Sequence, residues 1–345
     1  MAKQKPPSAI KQAAEELLNL ESVSLKERIK DLERELRTAR VSQAHDADYQ
    51  KFVGDAARRS VDVPEWLVKK EGRKKQPAIP LSFLSDLHGD EVVNPDEVEG
   101  VNEYDRGIAK KRLENFFNKT VRVAKTFLSG LTYSGIVIPI GGDIVSGIIH
   151  EELRETNGAK ILDGCLYWSA QIASGLRYMA DEFGDVYAPC VVGNHGRLDK
   201  KPRAKGAVQD NFDWLVYELI ARELARDKRI RVDVSKSFDM TFAVYDTRYC
   251  MTHGDQFKGG SGISGLLSPL MIGDARKRKR KAYDYLIMGH WHQRNHFKRI
   301  VVNGSIKGYD EWSARMNFDC EPPQQAFWLT DAEHGVTFEA PINVK

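Results

Sequence analysis

The sequence predicts an α/β fold with two sheets, helices on their outer faces and a helical extension at the N-terminus. Three observations carry this expectation. From residue 79 onward, short apolar runs alternate with longer amphipathic ones. Later runs follow one another without helices between them, and residues 1–75 differ in composition from everything after them.

The extension comes first in the chain. Residues 9–40 are rich in Glu, Lys, Arg, Ala and Leu and contain no Gly or Pro. Leu25, Ile29, Leu32, Leu36 and Ala39 follow a 4-3-4-3 spacing, the apolar seam of a helix that packs on another surface. Two readings stand for that seam: packing on its own domain, or self-association. Residues 46–80 are mixed and polar, carry the basic residues Lys69, Lys70, Arg73, Lys74 and Lys75, and read as a linker. The expected division is therefore 1–75, extension and linker, and 76–345, the main domain.

Within the main domain, the runs 79–84, 136–140, 186–192, 249–252 and 285–288 read as short buried strands. Helical stretches at 108–127, 161–183 and 211–226 separate the earlier ones, which is the pattern of crossover units in a largely parallel sheet. The runs 230–234, 240–245, 300–303, 326–330 and 336–339 lack such helices and are expected in a second, more antiparallel sheet.

Composition narrows the class. Hydrophobic residues make up 41% and charged residues 29%, an ordinary balance for a water-soluble globular protein. The 52 basic residues nearly cancel the 49 acidic ones, so charge clustering matters more than the net value of +3. Four widely spaced cysteines form no CxxC pair, which argues against a thiolate zinc site and suits a reducing compartment. The apolar stretch 128–149 carries Gly130, Gly135, Gly141 and Gly142, with Pro139 and Asp143, so it reads as short elements around a turn and not as a membrane span. No secretory signal is visible, and the expected location is the cytoplasm.

Polar residues are concentrated where strands end. The five strand candidates run into Ser85-Asp86-Leu87-His88, Gly141-Gly142-Asp143, Gly193-Asn194-His195, His253-Gly254-Asp255 and Gly289-His290-Trp291-His292. The carboxyl ends of strands face the ligand crevice in open α/β sheets, so these clusters are expected to converge. Five of the nine histidines lie in them. Singly, each has a bland reading: DxH as a cap, Gly-Asp as a turn. All five in this order behind apolar strands point to a site.

Carboxylate, imidazole and amide oxygen together suit intermediate divalent cations, Mn²⁺ first, with Fe²⁺, Zn²⁺ and Mg²⁺ as alternatives. Two such ions about 3.5–4 Å apart hold a bridging hydroxide for in-line attack at phosphorus. One carboxylate must bridge them, and Asp143 alone stands by itself in its cluster.

This motif series resembles the signature of the calcineurin-like metallophosphoesterase superfamily over residues 79–310. The resemblance implies a two-sheet sandwich flanked by helices and a binuclear phosphoesterase. It further implies that Asp86, His88 and His292 bind one metal, that Asn194, His253 and His290 bind the other, and that Asp143 bridges. His195 would then face the substrate as the catalytic residue, stabilising charge or protonating the leaving oxygen. One departure stands out. The family's Gly-Asn-His is usually followed by Asp or Glu, treated as fixing the histidine, whereas here Gly196 and Arg197 follow. Asp199, another acid or none takes that role.

Basic clusters bear on substrate. Arg276, Lys277, Arg278, Lys279, Arg280 and Lys281 are consecutive, and Arg197, Lys200, Lys201, Arg203 and Lys205 follow Gly-Asn-His. Such patches favour a polyanion, and nucleic acid, DNA before RNA, is the expected partner. The bland reading is a pair of solvated loops. The motif spelling is similar to SbcD-type DNA repair nucleases, and the whole resembles phage-encoded relatives, which would place the protein in host cytoplasm. A nuclease is thus the leading expectation, with a phosphatase or small-nucleotide phosphodiesterase as the alternative. An inactive accessory or assembly module is the reading from a different class.

Overall fold

A computed structural model describes residues 62–68, 78–258 and 267–345. The apolar seam at 25–39 and the basic residues at 69–75 lie outside these.

The first sheet has the order β11-β10-β1-β2-β3-β4. Strands β1 (Ala78–Ser82), β2 (Ile136–Val137), β3 (Val186–Cys190) and β4 (Ile230–Val234) run parallel. Strand β10 (Gln324–Asp331) pairs antiparallel with β1, and β11 (Gly335–Asn343) antiparallel with β10. The second sheet has the order β5-β6-β7-β9-β8. Here β5 (Asp239–Val244) and β6 (Thr247–Thr252) form a hairpin, and β6, β7 (Tyr285–Met288) and β9 (Ile300–Val302) run parallel. Strand β8 (Asn295–Phe297) closes that edge antiparallel to β9.

Alternation along the strands builds the layers. Ile79, Leu81 and Phe83, with Val137, Tyr187, Val191 and Trp328, face the second sheet and meet Phe242, Tyr249, Met251 and Ile287. Ala78, Leu84, Ile136, Ile138, Val186, Ala188 and Cys190 face the helices. Aromatic rings dominate the inter-sheet layer. Phe242 stacks on Tyr249 with centroids 5.3 Å apart, and Tyr187 meets Phe242 edge-on at 6.0 Å. Full burial of each contributes about 1.5–3 kcal/mol.

Helix α1 (Arg106–Val121) starts where the Asp105 carboxylate accepts from the Ile108 amide and continues into a π-helical turn, Arg122–Phe127. The short α2 (Glu151–Thr156) and the long α3 (Ile161–Phe183) follow. In α3, Cys165, Trp168, Ile172, Leu176, Met179 and Phe183 recur every three or four residues and are buried, so one stripe faces the sheet. Helices α4 (Phe212–Leu224), α5 (Leu267–Arg278) and α6 (Glu311–Arg315) complete the set among the described residues.

Two sequence expectations change here. The strands at 249–252 and 285–288 belong to the second sheet, not to the central parallel one, and β4, β10 and β11 belong to the first. The reason is that β6 and β7 are buried on both faces: Tyr249, Met251 and Ile287 point between the sheets, and Cys250, Leu286 and Met288 point into a cluster with Leu270 of α5. A run of apolar residues records double burial but not the sheet it joins. The stretch 62–68, expected in a linker, packs into the body: Leu67 is buried and its carbonyl accepts from the Tyr245 amide at 2.7 Å. Among the described residues no helix is long and apolar enough to cross a membrane. Cys165, Cys190 and Cys250 are buried free thiols, and Cys320 is exposed.

Candidate metal centre

The five polar clusters converge, but from both sheets: β1, β2 and β3 deliver three, and β6 and β7 deliver two. Backbone bonds lock the loops together. The Asp86 amide donates to Gly142 O at 3.0 Å, His88 to Asp143 O at 2.9 Å, and Gly289 to His253 O at 2.9 Å. The Asp86 carboxylate crosses between the sheets and accepts from the His290 amide at 3.0 Å. Asp86, His88, Asp143, His290 and His292 all have positive φ, between 47° and 71°. Non-glycine residues in this region cost about 1–3 kcal/mol each, and clustering of that kind marks functional sites.

Close approach requires Gly193, where a Cβ would stand 2.1 Å from Asp143 Oδ1. Gly196 has a comparable constraint that explains the departure after Gly-Asn-His. A Cβ there would stand 2.2 Å from Asn211 Oδ1, the side chain that caps α4. Any side chain at position 196 would displace that cap. His195 is instead oriented by the Ser146 carbonyl, which accepts from its Nδ1–H at 3.0 Å and turns Nε2 away from that bond. Its backbone amide donates to Asp143 Oδ1 at 2.7 Å.

Side-chain donors gather in three overlapping groups: Asp86, His88 and His292; His88, Asp143 and His195; Asp143, His253 and His290. Within each, the ligand atoms lie within 4.8 Å of one another. Asp143 Oδ2 is 3.0 Å from His253 Nε2 and 3.9 Å from His88 Nε2, which puts one carboxylate oxygen at the junction. Asn194 Oδ1 also lies 3.0 Å from His253 Nε2. On the other side, His88 Nε2 and His292 Nε2 are 3.0 Å apart, and His292 Nε2 is 3.5 Å from Asp86 Oδ1.

These electrostatics fit cations. Burial, assisted by nearby positive groups, lowers His88 to about 4 and His290 to about 3, so both offer neutral lone pairs at neutral pH. For His253, burial opposes charging, but the Asp143 and Asp86 carboxylates prevail and raise it to about 10. That nitrogen attracts a proton where a metal would bind. The His253 Nδ1–H donates to Gly141 O at 2.8 Å, which aims Nε2 at the junction in the way metal-binding histidines are held.

Supporting residues emerge that the sequence did not reveal. The buried Asp213 carboxylate accepts from the amides of Asp143 at 2.8 Å, Ile144 at 3.1 Å and Gly193 at 2.9 Å, tying two ligand loops to α4. Burial, then repulsion from Asp143, raises it to about 6. In the sequence it reads as an ordinary first-turn helix acid. Behind His88, Glu91 Oε2 lies 3.3 Å from Nδ1, and Glu91 Oε1 accepts from Lys307 Nζ at 2.8 Å. Lys307, 2% exposed, also pairs with Asp310. Burial works to raise the Glu91 and Asp310 carboxyls, but the Lys307 ammonium overrides it and holds both below the ordinary range.

Lys307→Met is therefore expected to leave two buried carboxylates uncompensated and to cost about 3–5 kcal/mol at pH 7 by urea denaturation. Depressed carboxylates stabilise the fold above their ordinary values, 3.8 and 4.5, and lose that contribution as pH falls. The gap between wild type and variant should therefore narrow below about pH 4. A gap that is constant with pH would show that the charges are not its source.

All eight residues expected at the centre are brought together around one cavity or directly behind its wall. The cavity measures about 360 Å³, and His88, Asp143, Asn194, His195, His290 and His292 line it. Asp86 and His253 lie beneath them, both buried. The basic residues divide. Arg197, Lys201 and Arg203 line a second recess that shares Asn194 with the cavity. Lys200 pairs with Glu151, and Arg203 with Asp199. In the run 276–281, Lys277 is 7% exposed and paired with Asp239, and Arg278 binds Asp274 and the carbonyls of Tyr283 and Asp284. Those two fasten the end of α5 and are not a solvated patch. Arg276, Lys279 and Arg280 are exposed, and Lys281 is half-buried.

No protein-family profile and no curated protein matches this sequence. Solved structures give distant likenesses. A conserved uncharacterized protein of Streptococcus pneumoniae, described as a predicted phosphoesterase, shares 12% identity over 76% of this chain and 97% of its own, with a TM-score of 0.26. Vps29 from Entamoeba histolytica, as a single mutant, shares 12% over 76% of this chain and 99% of its own, with a TM-score of 0.31. A dimetal phosphatase from Danio rerio shares 11% over 77% and 99%, with a TM-score of 0.37.

Proposed function

We propose that this chain is a binuclear metal-dependent phosphoesterase that cleaves phosphodiester bonds, with nucleic acid, DNA before RNA, as its substrate. The observation that carries the reading is the junction at Asp143, where one buried carboxylate oxygen faces two groups of imidazole and oxygen donors over one cavity. Asp86, His88 and His292 would hold one divalent ion, and Asn194, His253 and His290 the other, with Asp143 shared. Bound ions polarise the phosphoryl oxygens and neutralise their charge. The donor set, without thiolate, suits Mn²⁺ first and Fe²⁺, Zn²⁺ or Mg²⁺ after it.

His195 supplies the proton chemistry. Its Nδ1–H is fixed by Ser146 O, so Nε2 is the atom left to protonate the leaving oxygen or to stabilise developing charge. The recess with Arg197, Lys201 and Arg203 supports the polyanion part of the reading, because it continues from the cavity through Asn194 and offers cations for a neighbouring phosphate. A phosphatase or small-nucleotide phosphodiesterase is favoured instead by the modest cavity of about 360 Å³.

Metal analysis with turnover of bis-p-nitrophenyl phosphate against the monoester tests the chemistry. Cleavage of a linear duplex, a single strand and a mononucleotide at two salt concentrations tests the substrate. For nucleic acid, log affinity should fall with log salt by nearly one unit for each phosphate contacted. Replacing Lys200 and Lys201 by Gln should flatten that slope. Preference for the mononucleotide with no salt dependence would refute the nuclease and leave the metal centre standing.

A further inference from the structure

Trp312 is 58% exposed and Phe318 40% exposed, yet both line the cavity that holds the metal donors. Their rings meet edge-on with centroids 5.0 Å apart. Adjacent exposed aromatics that line a cavity form an apolar patch of the kind that marks a ligand-binding surface.

Their support is rigid and leads back to the centre. Asp310 caps α6 by accepting from the Ser313 amide at 2.7 Å, and the same carboxylate pairs with Lys307, which pairs with Glu91 behind His88. Glu311 Oε1 accepts from the Asn94 amide at 2.8 Å. The Phe318 amide donates to Ser313 O at 3.0 Å, so both rings ride on one anchored segment. The cavity thus carries the polar donors and an anchored aromatic pair in one lining.

We infer that Trp312 and Phe318 form a stacking subsite for a nucleobase, which makes the substrate a nucleotide phosphoester held by its phosphate at the donors and by its base on this pair. The inference rests on the phosphoesterase reading and narrows it. Every base has a π-face, so such a platform binds bases with little regard to sequence. The cavity volume of about 360 Å³ falls within the roughly 300–1,000 Å³ of small-molecule sites. The base can belong to a free nucleotide or to a residue of a strand.

Calorimetric titration of the full-length, Mn²⁺-loaded protein with AMP, ribose 5-phosphate and inorganic phosphate tests it. AMP should bind roughly ten- to a hundredfold more tightly than ribose 5-phosphate, the scale of one stacked base. Trp312→Ala should erase that difference and leave phosphate binding intact, Trp312→Phe should retain most of it, and Phe318→Ala should weaken it. Equal affinity for AMP and ribose 5-phosphate would overturn the subsite while leaving the phosphoesterase. Failure of all three ligands to bind would overturn both. A trinucleotide in the same titration separates the sources: tighter binding than AMP that is lost in Trp312→Ala marks a strand, and equal binding marks a free nucleotide.

Discussion

Asp143→Asn is expected to abolish diester hydrolysis and to lower metal content without unfolding the domain. Asp143 is 1% exposed, and the substitution keeps its shape. Its Oδ1 accepts from the His195 amide, so the amide oxygen of Asn must stay on that side. The NH₂ group then takes the place of Oδ2, and a donor points at the junction where an anion is needed. The loss should exceed the roughly 10–100-fold typical of residues that only support a ligand. Metal analysis, turnover of bis-p-nitrophenyl phosphate and circular dichroism together check it. Normal turnover with two metals bound would sink the assignment of the bridge.

His195→Ala is expected to keep both metals and to lose about 10²–10⁴-fold in rate, the usual scale of a general acid. The ring is held by Ser146 O and lies 4.6 Å, centroid to centroid, from His88, so its removal leaves Asp86, His88 and His292 in place. The competing outcome is defined by the same geometry. His195 also groups with His88 and Asp143, and loss of one metal equivalent in the variant would move it into the ligand set. A fall in rate below tenfold, with metals retained, would remove it from the chemistry.

Residues that act next to their own strand were legible in the sequence. Polar clusters such as Gly193-Asn194-His195 directly follow a buried strand, so they leave a local pattern of apolar run and polar end. The helix at 161–183 and the strand at 285–288 were legible at their observed bounds, because one burial stripe and one apolar run each fall within a single segment. The apolar seam at 25–39, read as packing on its own domain or as self-association, lies outside the described residues.

Tertiary structure alone decided what depends on partners far along the chain. Asp213 meets Asp143 across 70 residues, and Lys307 meets Glu91 across 216. Neither pairing leaves a periodic trace, because hydrogen bonds and ion pairs need proximity in space and none in sequence. The same applies to Gly196, whose missing side chain makes room for the Asn211 cap, and to Lys277, whose charge is met by Asp239. Sheet membership of β6 and β7 belongs to this class too, since double burial makes apolar strands alike whichever sheet they enter. The sequence by itself determined which polar side chains would gather, because those stand at strand ends. Only the fold decided which groups orient them, because that is set by contacts between segments that share no local pattern.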